Sequence, residues 1–138
     1  MNFSTINWLA VVACVVFSMI SGTIWFGPKT FFPIWWKAIG KKEGDVPNGT
    51  PMTWILIIVS SIVQAISMSL LVTTMGTVTG GATLASGALA GFMLWLGFVA
   101  PTSLVNKLFP SQLKAWAIEA GNHLINFVVF GAILGAWR

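Results

Sequence analysis

Charge is missing from almost the whole chain, and that absence decides what the chain can fold into. No Asp, Glu, Lys or Arg precedes Lys29, and none lies between Asp45 and Lys107. Beyond Lys114 only Glu119 and Arg138 are charged, with the single His123 between them. Long charge-free apolar runs are what a bilayer core demands, because charge placed in hydrocarbon is costly. A soluble fold lacks the means to cover itself here. Charged residues are 7% of the chain, against about a quarter in soluble domains. Hydrophobic residues are 57% and the mean hydropathy is +0.88.

The 138 residues leave room for one domain. The net charge of +4 and a pI near 9.7 do not point to nucleic acid. The lysines sit in two short loops, where membrane topology predicts them. Cys14 is the one cysteine, so no disulfide forms within the chain. Val11–Cys14 resembles a lipoprotein cleavage box. No positive segment precedes it and the apolar run continues past it, so Cys14 reads as an ordinary buried residue. The N-terminus, on the same grounds, reads as a retained span and not as a cleaved signal.

A span needs about 20 apolar residues, because a helix rises about 1.5 Å per residue across a core of about 30 Å. Four stretches qualify: about 6–26, 52–72, 82–100 and 114–137. Breakers punctuate them. Gly27 and Pro28 end the first, and Pro47, Gly49 and Pro51 precede the second. The run TTMGTVTGG from Thr73 to Gly81 reads as a short turn, which makes the second and third helices antiparallel neighbours. Pro101 closes the third, and Pro110 with Ser111 opens the fourth. The expected fold is all-α: an integral membrane bundle of four transmembrane helices in one domain, with a short interfacial helix after the first.

Loop one carries Lys29, Lys37, Lys41 and Lys42, and loop three carries Lys107 and Lys114. The positive-inside rule therefore places loops one and three in the cytoplasm and both termini outside the inner (plasma) membrane. Arg138 alone opposes this. Trp8, Trp25, Trp54, Trp116 and Trp137 fall near helix ends, as an aromatic belt requires. An aromatic ligand cage is the rival use of eight tryptophans and no tyrosine; the belt explains most of them. The segment KTFFPIWWKAIGKK has an apolar body flanked by lysines and reads as a short amphipathic helix in the interface. Trp35, Trp36 and Lys37 would anchor it. A gate or a surface for anionic lipid is the sharper alternative.

A weak internal echo pairs Trp25, Gly27, Pro28, Phe32 and Pro33 with Trp95, Gly97, Pro101, Phe109 and Pro110. Each set ends an odd helix. This is either a parallel two-plus-two repeat or chance among belt residues.

Chemistry concentrates on the fourth helix. Glu119, Asn122, His123 and Asn126 are three and four apart and share one face. Gln64, mid-way along the second helix, can meet them at similar depth. Polar residues inside a span face the bundle interior or a wet cavity. One reading is a permeation or proton-relay path, with His123 titrating near neutral pH. The other is interhelical hydrogen bonding, with Glu119 paired to Lys114 or to headgroups. Glu119 and His123 supply two metal ligands per chain, so a metal site needs a second subunit. Haem held by His123 is a remoter option, and the cofactor is otherwise unknown. No nucleophile–base pair, phosphate loop or cysteine cluster supports an enzyme. Gly87 with Gly91, and Gly131 with Gly135, are small-xxx-small pairs that let backbones approach, within one chain or between copies. Gly76 with Gly80 falls in the presumed turn.

Two segments, NWLAVVACVVFSMISGTIWFGPKTFF and GFMLWLGFVAPTSLVNKLFP, resemble the four-helix bacterial and archaeal membrane family known as domain of unknown function 1761. Trp25, Phe26, Gly27 and Pro28 match its Trp-Tyr-Gly-Pro-like motif, with Phe26 in place of Tyr. The closing AIEAGNHLINFVVFGAILGAW looks like its last helix, around Asn122 and His123. The resemblance implies a membrane helical bundle and no assigned activity. The expectation for function is transport or binding of a small solute or ion by a homo-oligomer in the bilayer. The alternative is an accessory or structural subunit of a larger membrane complex.

Overall fold

The computed structural model describes residues 2–137. Among them the regular structure is all helical: α1 (Trp8–Trp25), α2 (Phe32–Ala38), α3 (Pro51–Thr79), α4 (Leu84–Leu94), a π-helical segment (Trp95–Val99), α5 (Ala100–Leu108) and α6 (Leu113–Ala136). α4, the π segment and α5 run on as one span. With α1, α3 and α6 this makes four helices long and apolar enough to cross a membrane.

Local chemistry sets most ends. The Asn7 carboxamide oxygen accepts from the N–H groups of Leu9 and Ala10 at 3.1 and 3.2 Å, capping α1. At its far end the Gly27 N–H donates to the Thr30 hydroxyl, which in turn donates into the Ile24 and Trp25 carbonyls. Pro33 and Pro51 occupy first turns, where a missing N–H costs nothing. Thr83 and Ser86 form a reciprocal capping box at the start of α4.

Two expected boundaries move and one expected pair of neighbours changes. Thr73–Gly81 is not a turn: α3 continues through it to Thr79. Thr74 and Thr79 hydroxyls donate back to the Leu70 and Met75 carbonyls, turning polar side chains into helix-compatible ones. Gly76 lies within the helix. The stop comes at Gly80, in the left-handed region at φ 82°, where the Gly81 N–H reaches the Gly76 carbonyl at 2.8 Å. Pro101 likewise does not close the third span. The π turn ahead of it loosens the helix where the proline ring lacks an N–H and crowds the preceding turn, so the helix runs on to Leu108. Gly97 and Pro101 of the proposed repeat therefore lie inside a continuous helical span, whereas Gly27 and Pro28 lie beyond the end of α1.

The third correction concerns neighbours. α3 and α4 are joined by a short turn but touch sparsely, and α4 packs along α6 instead. Glycines explain the choice. A Cβ on Gly87 would overlap the Gly131 carbonyl, and one on Gly91 would overlap that of Phe127. A Cβ on Gly131 would strike the Gly87 carbonyl, and one on Gly135 that of Thr83. Both small-xxx-small pairs thus face each other within one chain, giving backbone contact and the dispersion energy that drives association in lipid.

α6 is the hub, packed against α1, α3, α4, α5 and α2. The core joins Ala10, Val11 and Cys14 of α1 to Ala65, Met68 and Val72 of α3 and Phe130 and Leu134 of α6. Large apolar side chains such as Leu9, Val12, Val16 and Ile20 of α1 and Ile55, Leu56 and Val59 of α3 stay exposed. That inversion suits a molecule whose solvent is hydrocarbon.

Candidate functional site

α6 presents its polar residues to the other helices in a ladder. Glu119 comes first, six residues into the helix, or about 9 Å along its axis. Its Oε1 accepts from Lys107 Nζ at 3.0 Å and from Trp35 Nε1 at 2.8 Å. Both side chains of the ion pair are 22% exposed. The sequence pointed to Lys114 as partner; the partner is Lys107, because α5 continues past Pro101 and carries that lysine back over α6. Trp35, expected as an interfacial anchor of α2, is half-buried and ties α2 to α6 through Glu119.

One turn deeper, Asn122 is buried and its Nδ2 donates to Ser21 Oγ of α1 at 3.0 Å. Asn126 donates to Asn122 Oδ1 at 3.3 Å. Asn126 Oδ1 is enclosed and has no hydrogen-bond partner. It lies about 20 Å along α6, near mid-span. On the facing helices Ser18 of α1 meets Ser61 of α3, oxygen to oxygen, at 3.1 Å. His123 is half-buried beside Glu119. Gln64, expected to complete the site, is half-buried and makes no hydrogen bond to the ladder among the described residues; the polar contact that α3 does make is that of Ser61 with Ser18 of α1.

The ladder ends at an apolar layer. Asn122, Asn126, Phe130 and Leu134 follow one another along α6 at intervals of four, and all are buried. Phe130 is 1% exposed and packs with Cys14, which is fully buried with its Sγ 4.0 Å from the Phe130 carbonyl. Beyond this layer lies a half-open pocket of about 280 Å³ lined by Thr5, Asn7, Ser69, Thr73, Leu134 and Trp137. Its polar lining is hydroxyls and one carboxamide. Asn7 Nδ2 also reaches the Trp137 carbonyl at 3.5 Å, pinning the two ends of the chain together there.

Tryptophans brace the ladder from outside. Trp25 Nε1 donates to the Ile118 carbonyl at 2.9 Å, and Trp95 Nε1 to the Ala120 carbonyl at 2.8 Å. Trp116 Nε1 donates to the Ala100 carbonyl and to Ser103 Oγ, both at 3.1 Å. Belt placement alone does not describe Trp25 and Trp116, whose indoles fasten helix to helix. The residues missed from sequence are Ser18, Ser21, Ser61, Lys107, Trp25 and Trp95. A usable signal existed for Lys107: it is one of few charges near Glu119. Isolated serines in apolar helices gave a weaker one. Groups of three or more His, Cys, Asp or Glu side chains able to hold a metal do not occur among the described residues.

Four apolar spans and a polar ladder sequestered between them define a multi-pass membrane helical bundle. The chain belongs to the family described as "Protein of unknown function (DUF1761)", whose model matches residues 9–135. No curated protein and no solved structure matches the chain.

Proposed function

We propose that the bundle binds and passes a small polar solute or ion, as a homo-oligomer in the inner (plasma) membrane, with its lysine-bearing end in the cytoplasm. The observation that carries this reading is Asn126 Oδ1, an enclosed amide oxygen without a partner near mid-span. An unpaired buried acceptor is expensive, and a polar solute moving along the ladder gives it a donor. The ladder leads to it from the Glu119 end, and the pocket lies beyond Phe130 on the same ridge. The arrangement is that of an occluded path, with the Cys14–Phe130 layer as its closed point. His123, next to Glu119, is the residue suited to accept and release a proton at the entrance. Replacing Glu119 and His123 with Gln should abolish solute or proton flux into proteoliposomes while size-exclusion behaviour is retained. Flux unchanged from the native chain would remove these residues from the path.

A rival reading has its own support. Glu119 and Asn122 spend their hydrogen bonds on Lys107, Trp35 and Ser21, as interhelical glue does. The chain would then be an accessory subunit of a larger membrane complex. That reading predicts co-purification with an unrelated chain in mild detergent, and a single-species homo-oligomer would count against it.

A further inference from the structure

Lys29, Lys37, Lys41 and Lys42 surround the seven-residue α2, and all four are exposed. Among the described residues the one ion pair is Lys107 with Glu119, so these four have no carboxylate partner. Two acids lie nearby and leave the segment net positive: Glu43, and Asp45, which accepts from the Lys42 backbone N–H at 2.8 Å. Lys114 adds a further exposed cation at the same end of the bundle. At the opposite end, around Asn7, Thr73–Thr83 and Trp137, the described residues carry no charge.

The apolar part of α2 is built to lie flat. Phe32 stacks on Trp36 at 5.3 Å and 22°, Phe26 meets Trp35 edge-on at 5.2 Å, and Phe31 and Ile34 stay exposed. Trp35 ties this platform to Glu119, which fixes its depth against α6. Trp36 differs from the other braced tryptophans. Its Nε1 is enclosed without an acceptor, and the Lys41 ammonium stands 5.7 Å from its ring centre. The indole N–H is out of reach of an outside ligand, but the Lys41 ammonium above the ring is exposed and has no ion-pair partner among the described residues, and it calls for an anionic oxygen ligand.

We infer that α2 and its lysines form a binding surface for anionic phospholipid headgroups, with Lys41, held over the Trp36 ring, as the phosphate-contacting cation and Lys37 and Lys42 as flanking cations. The exposed Phe31 and Ile34 enter the acyl region beneath. This inference is independent of whether the ladder moves a solute. It requires only that the chain sits in a bilayer. Each lysine near an anionic surface contributes roughly a fivefold preference, and screening weakens it within about a Debye length.

The full chain is reconstituted in nanodiscs of phosphatidylcholine with an equal share of phosphatidylglycerol. Tryptophan quenching is compared with bromine on the acyl chains of one lipid or of the other. Brominated phosphatidylglycerol should quench more strongly, and Lys37→Gln/Lys41→Gln/Lys42→Gln should abolish the difference. Trp36→Phe should shrink the difference between the two lipids, while Trp8, Trp54 and Trp137, which are exposed, go on being quenched by either. The lysines are exposed, so the triple variant keeps its helices by circular dichroism; if it does not, Lys41→Gln alone should lower the preference about fivefold. Equal quenching by both lipids in the native chain, or a preference that survives loss of the lysines, would overturn the inference.

Discussion

Glu119 accepts from donors on two separate elements, Lys107 of α5 and Trp35 of α2, and so joins three pieces of chain at one carboxylate. Losing one partner of such a pair strands the other's charge, although partial exposure discounts the penalty. Lys107→Met should therefore destabilise the bundle more than the double change Lys107→Met/Glu119→Gln. A double-mutant cycle on detergent unfolding should return a coupling of about 1 kcal/mol. Additive effects would show that the pair is incidental. At this scale the sequence was partly legible. Glu119, Asn122, His123 and Asn126 were visible as a stripe because charge and amide are rare in the span. Their partners were not, since Ser18, Ser21 and Ser61 are small polar residues that any membrane helix contains, and Lys107 was assigned to a loop.

At the level of elements, the α4–α6 contact is decided by glycines whose missing side chains let the carbonyls approach. Gly87→Ala puts a methyl into the Gly131 carbonyl, and overpacking of that kind costs roughly 1–3 kcal/mol or more. Gly22 of α1 has open space where its Cβ would stand. Gly22→Ala should therefore stabilise the chain, by about 0.5–1 kcal/mol from helix entropy. Opposite signs in thermal unfolding would support the close-packed interface; two stabilising changes would contradict it. Element existence was readable from the apolar runs, but two ends were not. Thr73–Gly81 looked like a turn because threonine and glycine disfavour helix locally, yet hydroxyls folded back onto carbonyls keep α3 helical. Pro101 looked like a stop because a proline's clash is local, whereas the π turn that accommodates it spends an extra residue upstream. Helix neighbours were misread for a related reason: a short connection fixes where two helices begin, while the depth of backbone approach fixes which pair packs.

In the whole molecule, α1 and α6 run antiparallel in a register set by four contacts: Asn7 with Trp137, Cys14 with Phe130, Ser21 with Asn122 and Trp25 with Ile118. That register stacks the braced Glu119 end, the amide ladder, the Phe130 layer and the pocket in order along the bundle. The central claim is that this order is a route for a small polar solute, closed at Phe130. The most direct test is stopped-flow light scattering of proteoliposomes, with glycerol and urea as osmolytes and pyranine reporting protons in parallel. Permeation should be faster than in protein-free vesicles for at least one of these probes. For that probe, Asn126→Leu should return permeation to the protein-free rate, and Phe130→Ala should raise it severalfold above the native chain. Native proteoliposomes no faster than empty vesicles for every probe, with Phe130→Ala leaving them unchanged, would contradict the account and leave the ladder as the glue of an accessory subunit.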